Sequence, residues 1–202
     1  MELTFAEFLS LKAIGLVTTR MPDGSRGFSL LIVITAEFEP GLQLGFGFTL
    51  IGVGGLLGLN RTVVLEALAL GIRTGAVNGI LFPVDVVGNA PRILSDLRTI
   101  FPPSAGRFLI GPMAKLGWGT PTIITLDLGL VIEIPGNVVI LGVLRLAVAG
   151  DDGTPVLRLQ VNFIGALEFD KKRAWFFAAL FDSRLLTITI DGEMGMLIAV
   201  GK

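Results

Sequence analysis

Four carboxylates have the side-chain type and spacing that could support catalysis: Glu37, Glu39, Asp127 and Glu133. Two carboxyl groups at a suitable separation are enough for glycoside hydrolysis, which requires neither His nor Cys. Along an extended strand, Glu37 and Glu39 would lie about 6.6 Å apart, which suits such a pair, whereas Asp127 and Glu133 would lie about 20 Å apart. Alternating carboxylates are also typical of a solvated strand face. We therefore keep these four residues as candidates only and predict no catalytic, cofactor-binding or metal-ligating residue.

The residue types that are missing exclude several other chemistries. The 202 residues include no His, no Cys and no Tyr. Without His and Cys the chain cannot form a Ser-His-Asp triad, a thiolate nucleophile or a zinc site with the usual ligands. Lys and Arg total 16 against 17 Asp and Glu, so the net charge is −1 and we expect no nucleic-acid partner. The composition favours a protein that is not an enzyme and needs no cofactor.

The elements that would position the candidate carboxylates are long strands. Apolar side chains recur at every second position over residues 28–38 and again over residues 124–134. This alternation predicts strands with one buried face, and short turns between them predict an antiparallel meander. The chain is 52% hydrophobic, which is enough for a large core. The simplest expectation is that helices cover the apolar face of the sheet and form an ordinary core.

The middle of the chain changes to a helical pattern. Asn60 and Asn89 are candidate helix caps, and the glycine-rich residues 52–58 and 106–121 look like connections. We expect three strands, then a helical insertion, then about five strands. The predicted fold class is α+β, a long-stranded antiparallel β-meander with a central helical insertion packed on one face. We expect a single domain over 1–202, with strands in 1–59, the insertion in 60–117 and strands in 118–202.

Several separated motifs resemble one known family. The matching runs are GFGFTL at 45–50, GLNR at 58–61, ILFP at 80–83, NAPR at 89–92 and GPMAKLGWG at 111–119. Together they resemble a bacterial domain of unknown function that occurs in very large, β-rich proteins. The resemblance implies no catalytic residues, because none is established for that family. Members of that family lie inside much longer chains, so the resemblance leaves three interpretations of these 202 residues open: a fragment, a trimmed piece or a minimal relative. In a larger protein, neighbouring strands would pair with the open sheet edges.

These observations favour a non-catalytic binding or assembly module that uses an extended apolar sheet surface. Lipid or another hydrophobic ligand is the expected partner, together with neighbouring strands of a larger chain or a homo-oligomer. Two alternatives stay open: a carboxylate-dependent, glycosidase-like hydrolase and an outer-membrane β-barrel. The first residues carry no basic n-region, and Glu2 and Glu7 interrupt the apolar run, so we predict no signal peptide. We also predict no transmembrane helix, and the compartment stays unknown.

Overall fold

The architecture is a single large antiparallel sheet with two helices, seen in a computed structural model that describes residues 2–5, 9–150 and 153–199. The strands before the helices are β1 (Glu2–Phe5), β2 (Leu9–Arg20), β3 (Arg26–Gly45) and β4 (Phe48–Arg61). The helices are α1 (Leu65–Thr74) and α2 (Ala90–Ile100), with a short 3-10 turn at Ala76–Gly79 between them. The strands that follow are β5 (Pro103–Trp118), β6 (Ile124–Ile134), β7 (Val138–Ala149), β8 (Pro155–Glu168), β9 (Arg173–Leu180), β10 (Ser183–Leu185), β11 (Ile188–Ile190) and β12 (Glu193–Ala199).

The strands form one open meander, which confirms the predicted fold class. Their order is β1-β2-β3-β4-β5-β6-β7-β8, and each is antiparallel to the next. The far edge of β8 is shared, because β9 pairs with residues 161–168 and β10 pairs with Leu157 and Arg158. The last row consists of β11 beside β10 and β12 beside β9. Several strands exceed ten residues, as expected from the long runs of alternation.

Two glycine-rich segments that suggested connections are strands. Residues 52–58 lie inside β4, where Gly54 pairs with Thr35 of β3 and with Met113 of β5. Most of residues 106–121 form β5. The helical insertion is therefore shorter than predicted, over 62–102 rather than 60–117. The glycines mark close approach of neighbouring chains: a side chain at Gly54 would lie 2.8 Å from the carbonyl oxygen of Ile34.

Residues 42–50 contain a hairpin turn. Gly45, Phe46 and Gly47 all have positive φ, at 96°, 52° and 81°. This left-handed geometry reverses the chain between β3 and β4, and glycine adopts it readily at positions 45 and 47. β3 continues through the Pro-Gly pair at 40–41 before it reaches this turn.

The helix starts differ from the predicted caps. α1 begins at Leu65, and Asn60 instead lies in β4 with φ of 52°. Its side-chain amide donates to the carbonyl oxygen of Phe28, and its amide oxygen accepts from the backbone N–H of Gly106. Asn89 does precede α2, but its side chain bonds back to the carbonyl oxygens of Val84 and Asp85 rather than capping the helix. Asn60 therefore joins three strands instead of starting a helix.

The helices cover the face of the sheet opposite to the expected one. The residues of β3 that are buried are Ser29, Leu31, Val33 and Thr35, not the apolar alternation that begins at Phe28. The core forms between this helix-side face and the helices; it includes Leu31, Val33, Leu56, Leu109, Val131, Leu141, Ile164, Leu68, Ile72, Ile93 and Leu97. The other surface, which we call the open face, carries Leu30, Leu57, Ile110, Leu126 and Leu144. It is not covered by α1 or α2.

Candidate functional site

Glu37 and Glu39, the pair with suitable spacing, are placed in different environments. The Glu37 carboxylate lies on the helix-side face and accepts hydrogen bonds from Lys12 Nζ at 2.9 Å and Lys115 Nζ at 2.5 Å. Burial alone would raise the pKa of Glu37, but the hydrogen bonds and charges of Lys115 and Lys12 outweigh it and lower the pKa. Glu39 is exposed, just before the Pro40 residue. Glu37 is therefore held as an ionised, doubly paired carboxylate.

Asp127 and Glu133 lie on the helix-side face of β6 and are engaged separately. Asp127 is 1% exposed and accepts a hydrogen bond from Arg145 Nη1 at 2.6 Å. Burial raises the pKa of Asp127, although Arg145 opposes the rise. Glu133 accepts from Thr62 Oγ1, and Arg107 Nη1 lies 3.3 Å from the same carboxylate. Glu133 thus fixes the start of the helical insertion to the sheet, which is a structural role.

A row of paired polar groups crosses the helix-side face beyond these carboxylates. Arg145 bridges Asp127 to the amide oxygen of Asn78, which lies in the 3-10 turn. The Gln160 amide donates to Asn78 Oδ1 and to Asn162 Oδ1, and Asn162 donates to the carbonyl oxygen of Ile72 in α1. These bonds join β6, β7 and β8 to the helices. The sequence did not reveal that Arg145 and Gln160 both bind Asn78, although isolated charges inside apolar strands were a signal for such contacts.

Two glycines on the helix-side face let the segment between the helices lie directly on the sheet. A Cβ at Gly129 would lie 2.6 Å from Leu81 Cδ2, and a Cβ at Gly52 would lie 3.0 Å from Phe82 Cε1. Leu81 and Phe82 are both buried there. The close approach therefore depends on the absence of side chains at these two positions.

Across the paired residues of eight strands, β2 to β9, the open face carries apolar side chains and glycine, with the exception of the last pair of β2 and β3, Arg20 and Arg26. One register row runs over Val17, Leu30, Leu59, Phe108 and Ile134. A second row runs over Leu42, Leu50, Leu116, Leu126, Leu144, Val161 and Leu180. An antiparallel sheet with one face in water normally presents polar side chains on that face. Here the polar side chains are under the helices, and the apolar ones are uncovered.

Two hollows interrupt the open face. One has a volume of about 370 Å³ and is lined by Phe48, Leu116, Gly117, Trp118, Ile124, Leu126 and Leu144. The other has a volume of about 310 Å³ and lies between β6 and β12, with Ile140, Leu167, Phe176 and Met196 among its lining residues. The indole N–H of Trp118 donates to the carbonyl oxygen of Phe46 and so is satisfied within the protein. Both volumes fall in the range of small-molecule sites.

The structure offers little support for a metal site. Within residues 9–150 and 153–199, no group of three or more Asp and Glu side chains is arranged to hold a metal ion. The same part of the chain contains no helix long and apolar enough to cross a membrane. Of the four candidate carboxylates, Glu37 and Asp127 are neighbours through Lys115, which binds Glu37 and pairs with Asp127 across β5 and β6. Glu39 and Glu133 are not part of this group, and the open face is the surface that is left to explain.

Comparison with known proteins gives a family and no further relatives. One family model matches residues 1–202, and its description is a family of unknown function, DUF6603. No curated protein and no solved structure matches the chain.

Proposed function

This chain belongs to DUF6603, a family of unknown function, and we propose that it is a non-catalytic binding module whose open face holds apolar ligands. The ligand class that we propose is the acyl chain of a lipid. The observation that carries the proposal is the open face, which the helices leave uncovered and which is apolar at all its paired residues in β2 to β9 except Arg20 and Arg26. Large contiguous apolar patches on proteins mark interaction sites, because each Å² removed from water contributes about 25 cal/mol.

The composition of the open face favours a ligand without polar groups. Protein–protein interfaces are only about 56–65% apolar in area and contain direct hydrogen bonds. The hollow beside Leu126 and Leu144 is lined by apolar side chains and one glycine, and its one indole N–H is already bonded. A hydrocarbon chain can occupy such a hollow without leaving a polar group unpaired.

The hydrolase alternative has less support. Glu37 is neutralised by two lysines, and Asp127 by Arg145. Both carboxylates lie on the helix-side face, away from the two hollows. A carboxylate committed to structural ion pairs is a poor general acid or nucleophile.

The second candidate role is assembly through the β12 edge, inside a larger bacterial protein, as one interpretation of the motif resemblance has it, or in a homo-oligomer. β12 pairs with β9 on one side, and all seven of its residues are exposed. Met194, Met196 and Leu197 are more than half exposed there. Unprotected apolar edges are templates for pairing with another strand, which is the feature that favours this role.

A fluorescent fatty acid, titrated into delipidated protein, tests the proposed ligand class. We expect saturable binding to wild type, and we expect Leu144→Asn to raise the dissociation constant about tenfold, because its amide would be buried against the acyl chain. Leu70→Asn is the matched control, since Leu70 is an exposed leucine on α1. It should bind like wild type. Absence of saturable binding, or equal weakening by both variants, would contradict the proposal.

A further inference from the structure

One corner of the sheet is uncharged, although the same end of the sheet carries the exposed Arg158–Asp182 ion pair two strands farther on. The turn from β2 to β3 lies between Arg20 and Arg26, and the turn from β8 to β9 contains Asp170, Lys171 and Lys172. Because the meander is antiparallel, the turns from β3 to β4 and from β5 to β6 lie at the opposite end. No charged residue occurs in residues 40–60 or 116–126, which contain those two turns.

The hairpin between β3 and β4 presents an aromatic side chain at this uncharged corner. Phe46 is 99% exposed and has a φ of 52°. Its carbonyl oxygen accepts from Trp118 Nε1 at 3.2 Å, and the carbonyl oxygen of Gly47 accepts from the backbone N–H of Gly119 at 3.1 Å. The turn is thus tied to β5 while the phenyl ring of Phe46 points into solvent. A well-fixed, fully exposed Phe is costly in water and needs an apolar partner.

We infer that this corner of the sheet enters the interface of a lipid bilayer. We call the surface the apolar tip and define it by Leu44, Phe46, Phe48, Trp118 and Ile123, which are all exposed. A bilayer accepts an uncharged apolar tip with a protruding Phe46 without a complementary pocket, whereas a protein partner would have to supply one. Trp118 is placed as tryptophans are at membrane surfaces, with an apolar ring and a satisfied N–H.

The apolar tip adjoins the open face. Phe48 and Trp118 belong to the tip and also line the hollow of about 370 Å³. Insertion of the tip would bring that hollow beside the acyl chains of the bilayer. This role as an entry route rests on the proposed function, but the bilayer contact itself does not.

The charge around the tip predicts the lipid preference. The uncharged segments contain no Lys or Arg that could attract anionic headgroups. Polybasic segments are what bind anionic leaflets. We therefore expect binding to zwitterionic vesicles without a gain from anionic lipid.

Co-sedimentation with phosphatidylcholine vesicles tests the bilayer contact. Wild type should sediment with the vesicles, and Phe46→Asn should lower the partition coefficient about tenfold or more, because the variant loses one buried phenyl group. Asn tolerates the left-handed backbone, so the hairpin should keep its fold. Phe169→Asn is the matched control, since Phe169 is 60% exposed at a charged turn of the other end. It should sediment like wild type.

Three outcomes would overturn the bilayer contact: wild type that stays in the supernatant, a Phe46→Asn variant that binds as wild type does, or equal loss in Phe169→Asn. Stronger binding on addition of phosphatidylserine would also count against it, because it would indicate an electrostatic surface elsewhere. Fatty-acid titration of Phe46→Asn separates the two proposals. If Phe46→Asn binds the fatty acid as wild type does but no longer sediments with the vesicles, the bilayer contact of the tip is supported. If Leu144→Asn loses fatty-acid binding but sediments as wild type does, its effect concerns the open face alone.

Discussion

Asp127 and Arg145 show, at the scale of single residues, how charges are accommodated beneath the helices. Asp127 is nearly inaccessible, and one of its oxygens, Oδ1, has no hydrogen-bond partner. The other oxygen is bound by Arg145. A buried charge is tolerated when it is paired and becomes very costly when its partner is removed. Arg145 therefore opposes the rise that burial causes in the pKa of Asp127, and it also links Asp127 to the 3-10 turn through Asn78.

Replacement of Arg145 tests this role. Arg145→Met keeps most of the side-chain volume but leaves Asp127 without its counter-charge, so we expect the free energy of unfolding at pH 7 to fall by about 3 kcal/mol. The loss should shrink as the pH falls, because a protonated Asp127 no longer needs a cation. Arg158→Met is the control, since its ion pair with Asp182 is exposed at 3.4 Å and should contribute less than about 1 kcal/mol. Chemical denaturation of both variants at two pH values measures the difference; equal losses would contradict this account.

The candidate carboxylates could be found from the sequence, but their partners could not. Alternation correctly placed Asp127 and Glu133 on one strand face. It could not tell which face the helices cover, because an apolar face normally lies inside and here it lies outside. Lys12, Lys115 and Arg145 come from three strands that are distant in sequence, and register alone brings them to Glu37 and Asp127.

Glycines act at the scale of the elements by setting the distance between the helical insertion and the sheet. A Cβ at Gly52 would lie 2.8 Å from the carbonyl oxygen of Ala36 and 3.0 Å from Phe82. Glycine clusters in the sequence predicted turns over 52–58, and the structure has a strand there. The clusters themselves were visible in the sequence. Their cause, which is the approach of β3 and of Phe82, depends on tertiary contacts that a local pattern cannot contain.

Alanine substitution within β4 tests the close approach. Gly52→Ala should lower the free energy of unfolding by about 1–3 kcal/mol, because the added methyl group meets a backbone oxygen that cannot move easily. Gly55→Ala lies in the same strand on the open face, where the nearest atom would be the carbonyl oxygen of Gly111 at 3.6 Å. This control should change the stability by less than about 1 kcal/mol. Thermal unfolding of the two variants measures the contrast, and an equal effect would show that Gly52 is not a contact point.

The whole molecule is a sheet with two unlike faces. Its helix-side face carries polar groups and charges that are buried and paired, and its open face carries apolar groups that are uncovered. An antiparallel meander interrupted by helices followed from the alternation and from the break in it, although the part of the chain that the structure describes has four strands before the helices and eight after them instead of three and about five. The exposure of the open face could not be predicted from the sequence, because hydrophobicity alone does not say whether a helix, a ligand or a second copy covers a surface.

The native mass spectrum of protein purified without detergent, followed by extraction with organic solvent, tests the central claim most directly. We expect a monomer that carries lipid mass in near-stoichiometric amount, and we expect Leu144→Asn to carry less. Lipid-free protein would contradict the claim that the open face holds acyl chains. A lipid-free dimer would show in addition that a second copy covers the face or pairs with the β12 edge.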